Sequence, residues 1–521
     1  MSVVRAAATV GGMTLISRIL GMVREVLMAR FLGAGFAADA FLVAFRLPNL
    51  FRSLFAEGAF SAAFVPLVAQ RLGDSDAAEG RRRAIRLTEQ ALAIMLPVLL
   101  LFTCVIVVAA TPIVWGMTGG FADRSPVKLA FTVLLTRLAF PYLLLISLAS
   151  LLGGLLNALE RFWVYASAPI ILNLVFIATF IAFRGNTPVA TARNLAVAIT
   201  FAGVLQFLWL CWDCRRVGVL PRLRLPHMTP AVRTLLRRIG PAAIGAGATQ
   251  INLLISTMIA ARSLPQGSVS YLYYADRLNQ VALGMVGVGM GVALLPTMGR
   301  LIGAGNESGA IHQQNRGIEF VLLLGLPASL ALIASAEPIV TAMFQQGEFS
   351  HGDTLASAAA LRAFSTGLVA YMLVKVLTPG FHARGDTRTP MNFALVSIAV
   401  NIIGNLVLSR FFAHVGIAMA TSLAAWLNVA LLALALYRRG QWFADAPLLR
   451  VAPRMLLAAL AMAGALLMLN ASVLPLAAGG ALGRAFVLTL LVGIGAAVYG
   501  GLGFGIGAWN PRQFAQSFRK R

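Results

Sequence analysis

Apolar runs of roughly 18 or more residues recur from one end of this chain to the other, and that pattern decides its fold class. A helix rising about 1.5 Å per residue crosses the hydrocarbon core in ~20 residues. Inside hydrocarbon every backbone polar group must be satisfied by the protein itself. Continuous runs therefore predict helices, whereas a membrane barrel would show apolar and polar residues alternating. Only 12% of the 521 residues are charged and 59% are hydrophobic, with a mean hydropathy of +0.84. Soluble proteins are about 25% charged. The chain reads as an all-α polytopic membrane protein.

Spans are predicted near 6–32, 38–70, 87–110, 130–158, 162–183 and 191–212. A basic, proline-punctuated linker with an amphipathic piece at Thr229–Arg238 follows. Six more spans lie near 240–263, 268–301, 317–345, 355–383, 390–411 and 415–437, and two extra ones near 451–470 and 482–507. The domain division is then 1–214, a linker 215–238, 239–440, and a C-terminal piece 441–521. The first twelve spans read as a duplication. Phe45-Arg46-Leu47 leads to Phe64-Val65-Pro66 as Asp276-Arg277-Leu278 leads to Leu294-Leu295-Pro296. Arg137-Leu138-Ala139-Phe140 pairs with Arg362-Ala363-Phe364, and prolines Pro169 and Pro390 open the following spans. Six spans per half is an even number, so the halves share one orientation, and transporters built from parallel halves bind cargo near the midplane.

The net charge of +24 invites a nucleic-acid reading, but most basic residues sit in alternate loops. Arg81-Arg82-Arg83 with Arg86, Arg215 to Arg238, and Arg438, Arg439, Arg450 and Arg454 mark one side. This is the positive-inside pattern, with anionic headgroups as the natural partners. It places both termini in the cytoplasm, together with the basic end Arg519-Lys520-Arg521. No nucleic acid is expected as a partner. The N-terminus reads as a retained first helix, because Arg18 and Arg24 interrupt its apolar run and no small-residue cleavage site follows. Cys211-Trp-Asp-Cys214 matches C-x-x-C but lacks a second ligand pair, so packing explains it better than metal or redox chemistry.

Five arginines, Arg18, Arg24, Arg30, Arg46 and Arg52, fall in the first two spans, with Glu25, Asp39 and Glu57 as the only acids there. Each such charge costs about 2.5–3.5 kcal/mol to insert. Arg30 lies near a span end, where it can snorkel. Arg46 is seven residues from Asp39, on one helical face, and is expected to pair with it. With Asp39 assigned to Arg46, Arg18, Arg24 and Arg52, joined by Arg277 from the second half, outnumber the remaining acids Glu25, Glu57 and Asp276. Guanidinium forks suit a phosphorylated cargo bound between two lobes. Glu25, Glu57, Asp276 and Lys375 are secondary candidates; Lys375 is either a second anion contact or a cross-helix partner. Asn157, Asn173, Asn401 and Asn405 are read as interhelical hydrogen-bond partners. The Gly287-Val-Gly289-Met-Gly291 stretch lies in an apolar span, not after a strand, so it is not a dinucleotide loop. No glycine loop precedes a Walker lysine, and the five histidines lack metal-ligand spacing. No metal and no cofactor are expected.

The run from Asp39 through Phe45-Arg46-Leu47-Pro48-Asn49, Arg52 and Glu57 to Pro66 closely resembles the signature of the MurJ (MviN) family. So do Ser17-Arg18-Ile-Leu-Gly-Met-Val-Arg24, Tyr273-Tyr274-Ala-Asp276-Arg277-Leu278 and Lys375-Val-Leu-Thr-Pro-Gly-Phe381, in the family's order along essentially the whole chain. The resemblance implies the multidrug/oligosaccharidyl-lipid/polysaccharide exporter fold. It also implies a bacterial inner-membrane flippase for lipid II, the undecaprenyl-pyrophosphate-linked disaccharide peptide, and a tail groove formed with the two extra helices. The cavity residues it carries over are Arg18, Arg24, Asp39, Arg52 and Arg277. Glu25 stands where the family often has aspartate, and Asn279-Gln280 where some members have an acid.

The combined expectation is a non-enzymatic transporter that flips lipid II outward by alternating access, with membrane lipids and cell-wall synthesis or division proteins as further partners. Gly21, Pro48, Gly287 and Pro296 are the expected bending points. An exporter of another lipid-linked glycan or a drug would share this architecture. A membrane glycosyl- or acyltransferase would need a catalytic acid or histidine constellation, which the sequence lacks, and a scaffold would leave the intramembrane charges unexplained.

Overall fold

The structure, a computed structural model, describes residues 3–53, 59–73, 77–477 and 479–508. Those residues form eighteen α-helices and no strand. By packing the chain divides into two units, Met1–Ser270 and Tyr271–Arg521. In the first, α1 (Val3–Leu32) is one span, and α2 (Phe36–Phe51) with α3 (Ala59–Gly73) makes the second. α4 (Ala77–Val108) and α5 (Ala110–Thr118) form the third, α6 (Pro126–Ala139) and α7 (Tyr142–Ala158) the fourth. α8 (Phe162–Ala182) and α9 (Pro188–Val217) complete the six. α10 (Pro230–Ser263) also packs in this unit, mainly against α3. The packing boundary thus falls one span later than the repeat boundary drawn from the sequence.

The second unit contains α11 (Ser268–Gly303) from Tyr271 onward, α12 (Glu307–Ala334) and α13 (Ala336–Phe344). α14 (His351–Ser365), α15 (Leu368–His382), α16 (Arg388–Arg438), α17 (Ala446–Ala477) and α18 (Ala481–Gly505) follow. Among the described residues, nine helical stretches are long and apolar enough to cross a membrane by length and composition. One of them, α16, covers two predicted spans. Its 51 residues turn back on themselves at Ala413, whose φ of 47° and ψ of −131° lie outside helical space. The two ends meet: Arg439 donates to Asp386 at 2.7 Å and to Thr389 at 3.0 Å. The Arg439 bond, with those from the Thr389 side chain and amide, holds the Asp386 carboxyl well below the usual carboxylate range. At the turn a Cβ on Gly416 would sit 2.3 Å from the Leu408 carbonyl oxygen, so only glycine permits this approach.

The breaks inside spans repeat between the halves. The third span breaks at Ala109 and the corresponding ninth at Ser335, each followed by a nine-residue helix. The fourth breaks at Phe140-Pro141 and the tenth at Thr366-Gly367. The same interruption at the same place in both halves carries the duplication further than residue matches do. Helix starts follow local chemistry. Ser125, Thr187 and Thr229 each cap a helix whose first residue is proline, which has no N–H to leave unsatisfied. Ser350 and Asp353 form a reciprocal capping box at the start of α14.

Candidate functional site

Three of the predicted arginines lie on the first two spans of the first unit. Ser17, Gly21 and Arg24 recur at helical spacing on α1, and that face meets Asn173 of α8. Asn173 donates to the Ser17 carbonyl at 2.9 Å and accepts from Arg24 Nη1 at 3.0 Å. Gly21 faces the same side chain, and a Cβ there would lie 3.7 Å from the Asn173 amide, an ordinary contact, so the pairing does not require glycine. The Arg24 guanidinium also lies 5.4 Å from the Phe176 ring centroid and pairs with Glu25, which is 3% exposed. Arg24 is therefore held in a fixed pose by a hydrogen bond, an ion pair and a ring.

Arg18 is exposed on α1. One turn before it, Thr14 lines a cavity of about 330 Å³ within this unit, and Arg52 lines the same cavity. Arg52 follows the end of α2, where Asn49 Oδ1 accepts from its Nε at 3.2 Å and its Nη2 at 3.0 Å. Pro48 does not stop α2, which continues to Phe51. Glu57 and the basic C-terminal end, 519–521, lie outside the described residues. Arg30 is exposed at the end of α1 and packs over Phe31, as a snorkelling side chain does.

Asp39 behaves differently from the expectation. It is 2% exposed in the first turn of α2, and its carboxylate accepts four hydrogen bonds. Lys128 Nζ donates at 3.2 Å, the Gly267 and Ser270 amides at 2.7 and 3.0 Å, and Ser270 Oγ at 2.7 Å. The expected pairing with Arg46 is not formed, because Lys128 and these amides saturate Asp39. Arg46 donates instead to the Leu253 carbonyl at 3.1 Å. Asp39 thus ties α2, the start of α6 and the loop after α10 together, and its oxygens are committed within the protein. Lys128, absent from the sequence reading, is 2% exposed and also sits 4.6 Å from the Phe121 ring centroid.

In the second unit Arg277 stands on α11 against the Tyr273 ring, 4.8 Å from its centroid, and donates to Gln280 at 3.2 Å. Gln280 in turn donates to Asp276. The Gln280 amide therefore bridges the Asp276-Arg277 pair. Lys375 is exposed on α15. Asn401 donates to Thr421 at 3.2 Å, between the two arms of α16, and Asn405 donates to Asn401 at 3.1 Å. The stretch around Gly287–Gly291 is helical within α11. Asp213 of the C-x-x-C segment is fully buried and takes two bonds from Arg161, at 2.8 and 2.5 Å. The described residues contain no group of three His, Cys, Asp or Glu placed to hold a metal.

A family model described as lipid II flippase MurJ matches residues 28–485. The chain belongs to the MurJ family. A probable lipid II flippase MurJ of Rhizobium meliloti (strain 1021) is 42% identical over 525 residues, covering 100% of this chain and 97% of that protein. The lipid II flippase MurJ of Burkholderia cenocepacia (strain J2315) is 36% identical, covering 89% of each. Among solved structures, a lipid II flippase MurJ in an inward closed conformation superposes with a TM-score of 0.77 at 22% identity, over 95% of this chain and 97% of that one. An inward-facing MATE transporter of the MOP superfamily gives 0.67 at 14% identity, over 83% and 98%. These two likenesses show the fold. A MurJ-family chain of this fold is a multi-pass membrane protein, in agreement with its apolar helices.

The second unit holds one more feature relevant to this family. A cavity of about 460 Å³ is lined almost wholly by apolar side chains of α12, α15, α16 and α17, among them Leu322, Leu377, Val429, Leu449 and Leu456. Of the two extra helices only α17 lines it, while α18 packs on α17.

Proposed function

We propose that this protein flips lipid II from the cytoplasmic to the outer leaflet of the bacterial inner membrane, without catalysing a covalent reaction. Membership of the MurJ family carries the reading, and the excess of intramembrane arginines over acids supports it. Arg18, Arg24 and Arg52 are the pyrophosphate contacts of the first unit and Arg277 is that of the second. Asp39 holds helices in place and does not touch cargo. The polyprenyl tail runs in the apolar cavity along α17. Both termini face the cytoplasm, as the basic loops require. The MATE likeness rests on 14% identity and adds no argument for a drug as cargo.

The direct test is reconstitution in vesicles with labelled lipid II. Protein-dependent movement of lipid II between leaflets, lost in Arg52→Ala and Arg277→Ala, is the expected result. Equal movement with and without protein would exclude the reading.

A further inference from the structure

We infer that the linker between α9 and α10 is a membrane anchor, which sets Leu223, Leu225 and Met228 into the headgroup boundary of an anionic leaflet. In the topology proposed above that leaflet is the cytoplasmic one. The linker is non-helical from Val219 to Met228 and is fastened to α4 along its length. Arg81 donates to the Val217 carbonyl, and Val219 is 1% exposed. Glu89, 3% exposed, accepts from the Arg222 amide at 3.1 Å and from Arg224 Nε at 2.5 Å. Thr229 Oγ1 donates to Gln90 at 3.1 Å. Between these fixings Leu223, Leu225 and Met228 are 72%, 79% and 57% exposed. Large apolar side chains held uncovered on a fixed segment form a docking surface, unlike apolar residues scattered singly.

Two markers set the depth of this surface. Glu89 and Gln90 immediately precede the apolar part of α4, which carries no further charge as far as Val108. Chain fastened to Glu89 therefore lies where hydrocarbon gives way to headgroups. On α9, which delivers the chain to the linker, Trp212 is 48% exposed. Its ring lies 5.2 Å from that of Trp209 and 5.6 Å from the Arg216 guanidinium, and Trp163 packs on Trp209 at 5.8 Å. Tryptophan gathers at the same boundary, because its ring is apolar and its N–H is not. At that level apolar side chains reach the acyl chains while arginines stay among the headgroups.

Charge narrows the lipid. From Cys214 to Arg238 the chain has seven arginines and no acid. In the facing stretch, 71–90, five arginines meet four acids, of which Asp74 and Asp76 lie outside the described residues. The excess is positive with every one of those acids counted. Such a surface attracts anionic headgroups. Its depth favours lipid over an acidic protein, which would have to reach into the headgroup layer to cover the leucines.

The test places the full-length protein in nanodiscs, with Cys104, Cys211 and Cys214 replaced by alanine and a fluorophore on Leu225→Cys. Lipids brominated on the upper acyl chain act as quenchers. In phosphatidylglycerol nanodiscs the fluorophore at 225 is expected to be quenched at least about twofold. One on Ala78→Cys, about three turns before Glu89 on α4, should be quenched far less. In phosphatidylcholine nanodiscs the quenching at 225 is expected to fall by about half or more, since the arginines then lose their partners. Gel filtration identifies a variant that misfolds, and Met228→Cys then takes the place of Leu225→Cys. Absence of quenching in phosphatidylglycerol puts the linker in water or under another protein and overturns the anchor. Equal quenching in the two lipids overturns the part given to anionic headgroups.

Discussion

Lys128 Nζ stands 3.2 Å from Asp39 Oδ2, and the two side chains are 2% and 3% exposed. The two residues lie 89 positions apart in the chain. Asp353 occupies the equivalent place in the second half, since it precedes Arg362 by the same nine residues as Lys128 precedes Arg137. It too ties its span to the neighbouring one, accepting from the Tyr271 hydroxyl at 3.0 Å. The duplication has kept the tie and exchanged its chemistry, an ammonium in one half for a carboxylate in the other.

Breaking this pair from one side is expected to be costly. Asp39→Asn or Lys128→Met leaves the other charge buried and destabilises by about 3–5 kcal/mol, whereas the double variant recovers much of the loss. Thermal unfolding of the four proteins in one detergent checks this. Strict additivity of the two single effects would refute the pairing.

Arg24 has two roles that substitution can separate. Arg24→Ala is expected to remove the proposed cargo contact and also takes away the ion pair to Glu25, which is 3% exposed. Adding Glu25→Gln is expected to restore thermal stability but not transport. Each charge-assisted hydrogen bond to phosphate is worth about 1.5–3 kcal/mol, so transport should fall at least tenfold in both variants. Lysine should rescue partly, because it keeps the charge and loses the fork. Recovery of transport in the double variant would make Arg24 purely structural.

The C-x-x-C segment is expected to be chemically silent. Cys211→Ala with Cys214→Ala should leave transport unchanged in oxidising and reducing buffers alike. Asp213→Ala, by contrast, strands Arg161 and should lower the amount of protein in the membrane. Loss of transport in the cysteine variant with normal expression would reinstate a redox role.

Much of this was legible in the sequence, and the parts that were not share a cause. Hydropathy located the helices because membrane insertion acts on each run by itself. It could not place the break at Ala109, where the surrounding run Val107-Val108-Ala109-Ala110 stays apolar, nor show that Ser335 and Glu337 mark a break within a span. It also read the two arms of α16 as separate spans, and Ser409, Arg410 and His414 do interrupt the apolar run around the turn at Ala413. The arginines stood out because charge in hydrocarbon is rare. Asp39 was noticed for the same reason, but the sequence pointed to Arg46, its neighbour on the helix, as partner. Lys128 was missed because it follows Ser125-Pro126 at the edge of a span, where a lysine looks like an ordinary loop charge. Its matching position to Asp353, nine residues before the paired arginines, was the signal available. The arrangement around Arg24 depends on Asn173, a partner 149 residues away, and only folding reveals it.

A membrane potential should set the direction of turnover. A field of 100 mV is worth about 2.3 kcal/mol per charge that crosses it. Inside-negative polarity drives an anionic headgroup outward and favours return of an empty cationic cavity to the cytoplasmic side. Flipping in vesicles is therefore expected to speed up when an inside-negative potassium diffusion potential is imposed and slow when it is reversed. Rates indifferent to both would rule out this driving force.

The most direct measurement is the leaflet in which lipid II accumulates when the protein is depleted from cells. Accumulation in the cytoplasmic leaflet, relieved by the unsubstituted protein and not by Arg52→Ala or Arg277→Ala, is the predicted result. Lipid II reaching the outer leaflet at an unchanged rate, or loss of its synthesis, would contradict the account.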